Sequence, residues 1–485
     1  MIPSRRAVLT GAAAMSAAVV TPDVVRAAIA SETPDWGLVT ADIEADVAPR
    51  TMRLVTGRAP AGLSGTLYRN GPARFRRPGR SAAHWFDGDG LVRRFSIADG
   101  RAELAARFVD TPKRRQETRL DAMVMPGFGT LPDPRAEIGS PDDANAANTS
   151  VLMAGDRLWA LWEGGSPVAL DPDTLATEGF VSLRPDLKGV PFLAHPRVEP
   201  DGRIWNLGVA DRQAMVWRLS PAGTLERAEL IDLPRASYIH DFTATDRHLV
   251  IVLQPWVRER RTMPFSAGFV WRGEEATQVL VLDKDDLSRQ RIHELPAFGF
   301  FHLGDAWSDG DDIRFDICAH PDMDFAARGA SQMLNGVVLG GEPARLALAR
   351  LGAGGRTELM RTGVVAEFPR SDPRRAGLPR RLTFHTAGET PERPFASGIG
   401  VTDWSTGRTR TYDFGPGQVV DEMVFAPRGE GEEEGWLIGP SLNLEARATE
   451  LHVLDVARLE DGPVATWRAD VALPAAFHGI WTDRA

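Results

Sequence analysis

Four histidines in this chain of 485 residues lie in settings that could do metal chemistry. Imidazole is a frequent ligand of transition metals, so four imidazoles together could hold one ion. The separations of 45, 62 and 176 residues fit no local metal-binding motif. Each histidine taken alone is more often structural than ligating, so a metal site requires a fold that joins distant segments. The four are His195 in Ala194–Pro196, His240 in Ile239–Phe242, His302 in Phe301–Leu303 and His478 in Phe477–Gly479.

A recurring unit of short strands indicates which fold could join them. Each unit has an alternating apolar run, a polar turn and a second run, and units of about four strands return at intervals of roughly 50 residues. This pattern predicts an all-β protein with the radial closure of a β-propeller, in which inner strands converge on one axis. A stacked pair of β-sandwiches is the alternative on spacing alone. The units include Pro167–Leu175, Val216–Thr224, Val279–Leu287 and Leu451–Leu459.

The composition is that of a soluble globular protein, with 43% hydrophobic and 25% charged residues. The net charge of -10 argues against nucleic acid as a partner, because binding to phosphates needs a basic surface. Cys318 is the only cysteine, which excludes an intramolecular disulfide, and its apolar setting predicts a buried thiol. No low-complexity linker divides the chain, so residues 31–485 are predicted to form a single catalytic domain.

The N-terminal segment 1–30 has the pattern of a twin-arginine export signal. Arg5 and Arg6 precede an Ala/Val-rich stretch, and small residues near Ala28 offer cleavage sites. The apolar run is too short for a membrane-spanning helix, which needs about 20 residues. A chance amphipathic N-terminus is the alternative. We therefore expect a periplasmic mature protein that begins near Ala28 or Ser31.

Further motifs run through the rest of the chain in a fixed order. Leu67–Pro72 and His84–Gly90 come first, Ala147–Ser150 and the four histidine segments follow, and Val424–Arg428 lies before the last histidine. From about Asp42 to Trp481 this series resembles the carotenoid cleavage oxygenases. That family includes lignostilbene- and isoeugenol-cleaving enzymes and the isomerase of the retinal pigment epithelium.

The resemblance implies a seven-bladed β-propeller with one Fe(II) on its central axis. It implies that His195, His240, His302 and His478 are the metal ligands and the catalytic centre. It also implies that three glutamates orient the imidazoles by accepting a hydrogen bond from the second ring nitrogen. An ordinary surface or strand-end position is the alternative for each of them. These glutamates are Glu163, Glu367 and Glu422.

Other residues in or near the matched motifs are expected to support this centre. His84, with Asp87 and Asp89, is expected to anchor a turn. Leu303 and Asp305 stand where many members of the family carry histidine and asparagine, and this departure concerns the lining of the nearby cleft. Histidines without a matched motif are interpreted as structural or exposed, namely His248, His293, His320, His385 and His452.

The family resemblance implies an enzyme that uses O2 to cleave a carbon–carbon double bond of an apolar alkene into two carbonyl products. The leading hypothesis is a carotenoid or apocarotenoid substrate, and cleavage of a stilbenoid or phenylpropene is the alternative. An isomerase acting on a retinyl ester is a further alternative within the family. A propeller that binds ligands without catalysis is the alternative from another functional class.

Two segments bear on the choice of substrate. Stilbene-cleaving members of the family hold a phenolic hydroxyl through a lysine and a tyrosine. Lys113 is the candidate for this lysine, and a solvated loop lysine is the alternative. The segment Met263–Trp271 is either an apolar entrance patch, which would allow peripheral contact with a membrane, or an ordinary loop between strands.

Overall fold

Almost all regular structure in this chain is β-strand. A computed structural model describes residues 36–337, 341–390 and 395–484. Those residues contain 32 strands and only two short α-helices, which confirms the predicted all-β class. The predicted signal segment 1–30 lies outside the described residues. From Gly37 onward the described residues pack as one compact unit.

The first four strands are antiparallel neighbours within one large sheet. They are β1 (Val47–Gly57), β2 (Gly65–Pro72), β3 (Gly90–Ala98) and β4 (Arg101–Phe108).

Five smaller antiparallel sheets follow, each built from strands that are close in sequence. The first contains β5 (Ser150–Ala154), β6 (Arg157–Leu161), β7 (Val168–Leu170) and β8 (Thr177–Phe180). The second contains β9 (Arg197–Val198), β10 (Ile204–Ala210), β11 (Gln213–Leu219) and β12 (Leu225–Asp232). The third contains β13 (Thr243–Ala244), β14 (His248–Leu253), β17 (Thr277–Asp283) and β18 (Gln290–Leu295), with a separate hairpin of β15 (Trp256–Arg258) and β16 (Phe269–Trp271). The fourth contains β19 (Gly299–Leu303), β20 (Trp307–Asp309), β21 (Asp312–His320), β22 (Arg345–Leu351) and β23 (Thr357–Val365). The fifth contains β24 (Leu382–Ala387), β25 (Gly398–Asp403) and β26 (Arg408–Asp413).

The last six strands complete the large sheet and join the two ends of the described chain. They are β27 (Gln418–Val420), β28 (Val424–Pro427), β29 (Gly435–Asn443), β30 (Ala448–Asp455), β31 (Pro463–Arg468) and β32 (His478–Thr482). Strand β1 pairs with β4 on one side and with β31 on the other, while β32 pairs with β2. The N- and C-terminal strands therefore hold each other in one ten-stranded sheet.

Successive sheets pack face to face, and this packing makes the fold propeller-like. Buried apolar clusters combine side chains from each sheet with those of the next, and the large sheet packs against both the first and the fifth small sheets. The ring is thereby closed, unlike a stacked pair of β-sandwiches. Cys318 is buried in the cluster between the fourth and fifth sheets, as predicted. Facing pairs include Val92 and Val151, Leu152 and Trp217, Leu207 and Leu249, Val250 and Phe315, Leu346 and Trp404, and Phe384 and Phe425.

Helical segments are short and lie between the strands. The α-helices are α1 (Pro112–Leu120) and α2 (Ala330–Met333), and a π-turn spans Phe325–Gly329. The 3-10 turns are Trp36–Thr40, Trp85–Asp87, Pro141–Ala144, Pro185–Leu187, Phe265–Gly268, Pro373–Arg375 and Val456–Asp461. Within the part of the chain that the structure describes, none of the helices has the length and apolar character needed to cross a membrane.

His84 caps the turn Trp85–Asp87, as predicted from its motif. Its Nδ1 accepts a hydrogen bond from the Phe86 N–H at 3.1 Å, and its Nε2 lies 2.9 Å from the Ala326 carbonyl. Because Nδ1 accepts, Nε2 is the donor to this carbonyl. Asp87 in turn accepts hydrogen bonds from the Phe128 and Gly129 N–H groups and the Thr130 hydroxyl. These bonds tie the turn to the loop at residues 128–130 and to the π-turn Phe325–Gly329.

The fully buried ion pair between Arg380 and Asp316 should stabilise the packing of the fourth sheet on the fifth. Asp316 also accepts a hydrogen bond from the Thr383 hydroxyl of β24 at 2.9 Å. Replacing Asp316 by Ala leaves a buried guanidinium unpaired, so we expect a loss of about 3–5 kcal/mol in the free energy of unfolding, measured with urea. Asp309→Ala, which breaks an exposed pair with Arg314 on the same sheet, should cost less than about 1 kcal/mol. Equal losses in the two variants would contradict this.

Candidate metal centre

All four predicted histidines meet at the inner ends of their sheets. His195 lies two residues before β9 and His240 three residues before β13, while His302 is in β19 and His478 begins β32. Each of these strands stands at one end of its sheet's strand order. One ring nitrogen from each of the four lies within 4.8 Å of the others, and the Nε2 atoms of His195 and His240 are 3.0 Å apart. The geometry therefore forms a four-nitrogen pocket suited to one ion.

The three predicted glutamates lie behind three of these rings. Glu367 Oε2 is 2.6 Å from His302 Nδ1, and Glu422 Oε1 is 3.0 Å from His478 Nδ1. Glu163 makes the equivalent contact with the Nδ1 of His240. A carboxylate accepts a hydrogen bond from an imidazole N–H, so each Nδ1 is the donor and Nε2 is the ring atom that remains to bind a metal. These contacts fix the ring orientation and the tautomer that a metal ligand needs.

Each glutamate has a different outer partner. Glu422 is held by Arg69 at 2.5 Å and Arg370 at 2.7 Å, and it accepts the Gly479 N–H at 2.9 Å. Burial alone would raise the pKa of Glu422, but Arg370, His478 and Arg69 lower it well below its ordinary value. Glu422 is therefore ionised.

The other two glutamates are held by side chains that face a cavity. Tyr238 donates its hydroxyl hydrogen bond to Glu163 at 3.2 Å, and His320 Nε2 lies 2.6 Å from Glu367 Oε1. Burial alone would raise the pKa of Glu367, but His302 and His320 lower it below its ordinary value. His320 was interpreted as structural or exposed, and its structural contact is with a glutamate of the centre itself.

The protonation states of the rings also suit a metal. Burial, followed by the neighbouring imidazole of His478, lowers the pKa of His195 well below its ordinary value. Burial lowers the pKa of His478 itself to about 3, although Glu422 opposes this effect. For His240, burial again lowers the pKa, but Glu163 and more distant carboxylates outweigh it, so the pKa is raised. The raised pKa favours a proton on His240, and a metal cation bound at Nε2 would replace it.

The donor set fits a first-row transition metal. Four imidazole nitrogens converge, with carboxylates behind three of the rings, and imidazole suits iron, zinc, copper or nickel. A hard cation such as Mg²⁺ or Ca²⁺ would instead need oxygen ligands.

A cavity of about 1120 Å³ reaches this centre and opens to the surface. His240, His302 and His478 lie in its wall. Most of the remaining wall is apolar, which suits an elongated hydrocarbon more than a charged ligand. Its aromatic residues are Trp85, Phe86, Phe128, Trp162, Tyr238, Phe265, Phe269, Phe301, Phe325, Phe368, Phe395 and Phe477.

Similar proteins share both the length and the fold of this chain. Residues 40–483 match the model of the family described as retinal pigment epithelial membrane protein. Apocarotenoid-15,15'-oxygenase from Synechocystis sp. is 30% identical over 471 residues, which cover 88% of this chain and 92% of that relative. This chain belongs to that family. Lignostilbene-alpha,beta-dioxygenase isozyme III from Sphingomonas paucimobilis is 28% identical, with 88% of this chain and 93% of that protein covered.

The similarity extends to solved structures of this family. The crystal structure of cobalt-substituted Synechocystis apocarotenoid oxygenase aligns with a TM-score of 0.82 and 26% identity. The alignment covers 93% of this chain and 99% of that one.

Lys113 does not have the role predicted for it from the stilbene-cleaving members of the family. Its side chain is buried in α1, where it pairs with Asp89 at 2.8 Å and with Glu117 at 2.7 Å. Burial would lower the pKa of Lys113, but these two carboxylates raise it above its ordinary value. Neither Lys113 nor either of the other two lysines lines the cavity. Lys113 therefore supports the loops structurally.

The departure at Leu303 and Asp305 does not alter the cavity wall, contrary to expectation. Among the described residues, neither of the two lines the cavity. Asp305 instead pairs with Arg197 at 3.2 Å, and Arg197 also pairs with Asp241 at 2.6 Å. The Leu303 N–H donates to Asp241 at 2.9 Å. This network cross-links the segments that carry three of the histidines.

The segment Met263–Trp271 combines features of both predicted alternatives. It forms the end of the β15–β16 hairpin, and its Phe265 and Phe269 line the cavity. Met263 also borders the cavity and is 46% exposed. The segment is thus a hairpin loop and its following strand, and two of its aromatic side chains form part of the cavity wall.

Several residues at this centre were missed in the sequence. Arg69 lies inside the recognised motif Leu67–Pro72, and Tyr238 stands two residues before His240, so their motifs could have indicated them. Arg197 stands two residues after His195 and could have been indicated in the same way, whereas Arg370 and His320 lie outside the recognised motifs.

Removing a ligand should affect the metal more strongly than removing its orienting carboxylate charge. His240→Ala should abolish stoichiometric metal binding, while Glu163→Gln should weaken metal retention about 10–100-fold because the ring loses its ionised acceptor. Metal content by mass spectrometry and release to a chelator measure both effects, with His248→Ala, a half-buried histidine of β14, as control. Full metal occupancy in His240→Ala would exclude His240 from the ligand set.

Proposed function

We propose that this chain is a non-haem Fe(II) dioxygenase that cleaves a carbon–carbon double bond of a carotenoid or apocarotenoid into two carbonyl products. The observation that carries the proposal is a four-histidine centre reached by a large, mostly apolar cavity. The family relatives named as oxygenases of apocarotenoids and of lignostilbenes support it.

We also propose that the fold has seven blades with the iron on their common axis. The ten-stranded sheet can be divided into two blades joined at their outer edges through β1, which pairs with both β4 and β31. These two blades and the five smaller sheets make seven. The position of the ligand histidines at the ends of four sheets supports an axial site.

His195, His240, His302 and His478 would hold the iron through their Nε2 atoms. Four protein ligands leave positions of a six-coordinate ion open, and ferrous iron bound there supplies the binding and activation of O2. Because neutral imidazoles do not cancel its charge, the bound ion would keep its full positive charge.

The chain's own part in the reaction is to orient the alkene and to exclude water. Phe301 meets His240 edge-on at 5.6 Å between ring centroids, and Phe368 stacks on His302 at 4.8 Å. Phe86 packs edge-on against both Phe301 and Phe477. These rings can hold one double bond beside the metal, and such positioning lowers the barrier without a general base.

The wall chemistry favours a long hydrocarbon over a phenol. None of the three lysines lines the cavity, and Arg258, a cationic residue in the wall, is paired with Asp211 at 2.9 Å. Cleavage of a stilbenoid or phenylpropene is the second candidate, because the Tyr238 hydroxyl on the wall could meet a phenol. A propeller that only binds ligands is disfavoured by the oxygenase names of the relatives.

We further propose that the cavity entrance contacts a membrane peripherally. Ile138 and Met263 both border the cavity, and they are 48% and 46% exposed. Exposed apolar residues at a cavity mouth suit the uptake of a substrate that dissolves in lipid.

Parallel incubations under ¹⁸O₂ should decide between the two substrate classes. Iron-loaded protein should bleach an apocarotenal and release labelled carbonyl products, identified by mass spectrometry, while leaving resveratrol intact. His240→Ala treated in the same way serves as the control. Consumption of resveratrol alone would overturn the carotenoid assignment and favour the stilbenoid one.

We propose export to the periplasm through a twin-arginine signal in residues 1–30. Changing Arg5 and Arg6 together to Lys should leave the full-length chain in the cytoplasm, because the export receptor reads the arginine pair. Fractionation of a bacterial host that expresses either form measures this. Equal periplasmic amounts of the two forms would contradict the proposal.

A further inference from the structure

The carboxylate behind His302 has a second partner that the proposed function leaves without a role. His320 Nε2 is 2.6 Å from Glu367 Oε1, and the other oxygen of Glu367 is 2.6 Å from His302 Nδ1. Because an ionised carboxylate only accepts, both imidazoles must donate an N–H to it. The three side chains thus form a continuous chain of charge-assisted hydrogen bonds.

A single sheet and the loop that follows it place the three hydrogen-bonded side chains. His320 is the last residue of β21 and lies opposite Gly299 of β19, the strand that carries His302. Glu367 follows β23 of the same sheet, and its carbonyl accepts the Thr386 N–H at 2.9 Å. The relative placement of the three residues is therefore set by backbone pairing.

His320 is confined by its surroundings but reaches the cavity. The Phe301 ring meets it edge-on at 5.6 Å between centroids. Its side chain is 13% exposed, and the exposed part belongs to the cavity wall. Glu422, in contrast, is held by Arg69 and Arg370, and neither arginine lines the cavity.

We propose that His320 is a positioning residue for the metal centre. It holds the Glu367 carboxylate in the orientation in which His302 presents Nε2 to the ion, and it does so from the cavity wall. Without this donor, of the groups that the structure describes, only the Phe368 N–H, at 3.1 Å from Glu367 Oε2, still helps to hold the carboxylate beside His302, so the tautomer and direction of the ligand are fixed less firmly. The inference rests on the proposed function, since it requires a metal held by the four histidines.

Cobalt-loaded full-length protein gives a direct test that does not depend on turnover. His320→Phe, which removes the donor but keeps a ring, should release cobalt to a chelator about 10–100-fold faster and shift the visible absorption bands of the ion. His320→Gln keeps an N–H near the same place and should retain the wild-type bands. His293→Phe is the matched control, because the Nε2 of that buried histidine of β18 has no hydrogen-bond partner among the described residues.

The possible outcomes separate this inference from the proposed function. Wild-type protein that takes up no stoichiometric metal would overturn both. Wild-type protein that binds metal, together with a His320→Phe variant of unchanged release rate and spectrum, would overturn the positioning role alone. If His320→Phe does not fold, His320→Met removes the same donor without the ring, and the same comparison decides.

Discussion

Four imidazoles can share one ion only when their lone pairs point at the same place and no ring carries a proton there. In this chain that requirement links residues up to 283 positions apart, from His195 to His478. A single helix or hairpin could not satisfy it. A closed ring of sheets can, because the end strands of four sheets bring their histidines to the same place. The paired β1, β4 and β31 keep the ring closed and so keep the nitrogen atoms together.

Ionised carboxylates must be buried behind the ligand rings, and each needs its own compensation. An unpaired buried carboxylate would become protonated and could no longer accept a hydrogen bond from Nδ1. Glu422 is compensated by two arginines, Glu163 meets a tyrosine, and Glu367 meets a second histidine. The outer partners of the three glutamates therefore differ in charge and in whether they line the cavity. Each glutamate nevertheless makes the same contact with the Nδ1 of its histidine.

The cavity adds selectivity to this reactive centre. Its wall is mostly apolar, which favours selection of a substrate by length and shape. Arg258, a cation in the wall, is paired with Asp211, and Lys113 lies outside the wall, where it pairs with Asp89 and Glu117. Aromatic rings also pack against the histidines themselves and make their surroundings apolar.

Local patterns in the sequence determined the all-β class and, through motifs, the residues that converge. Alternation and turns are encoded over a few residues, so the strands could be predicted, as could the buried Cys318. The pairing of Lys113 with Asp89 and the partners of Asp305 and His320 could not, because each joins side chains from different elements. The residue type alone does not tell whether a lysine is exposed or is buried in an ion pair. The packing of sheets and loops decides between the two. The sequence thus determines which chemical groups are present, and the packing of the sheets determines which of these groups contact each other.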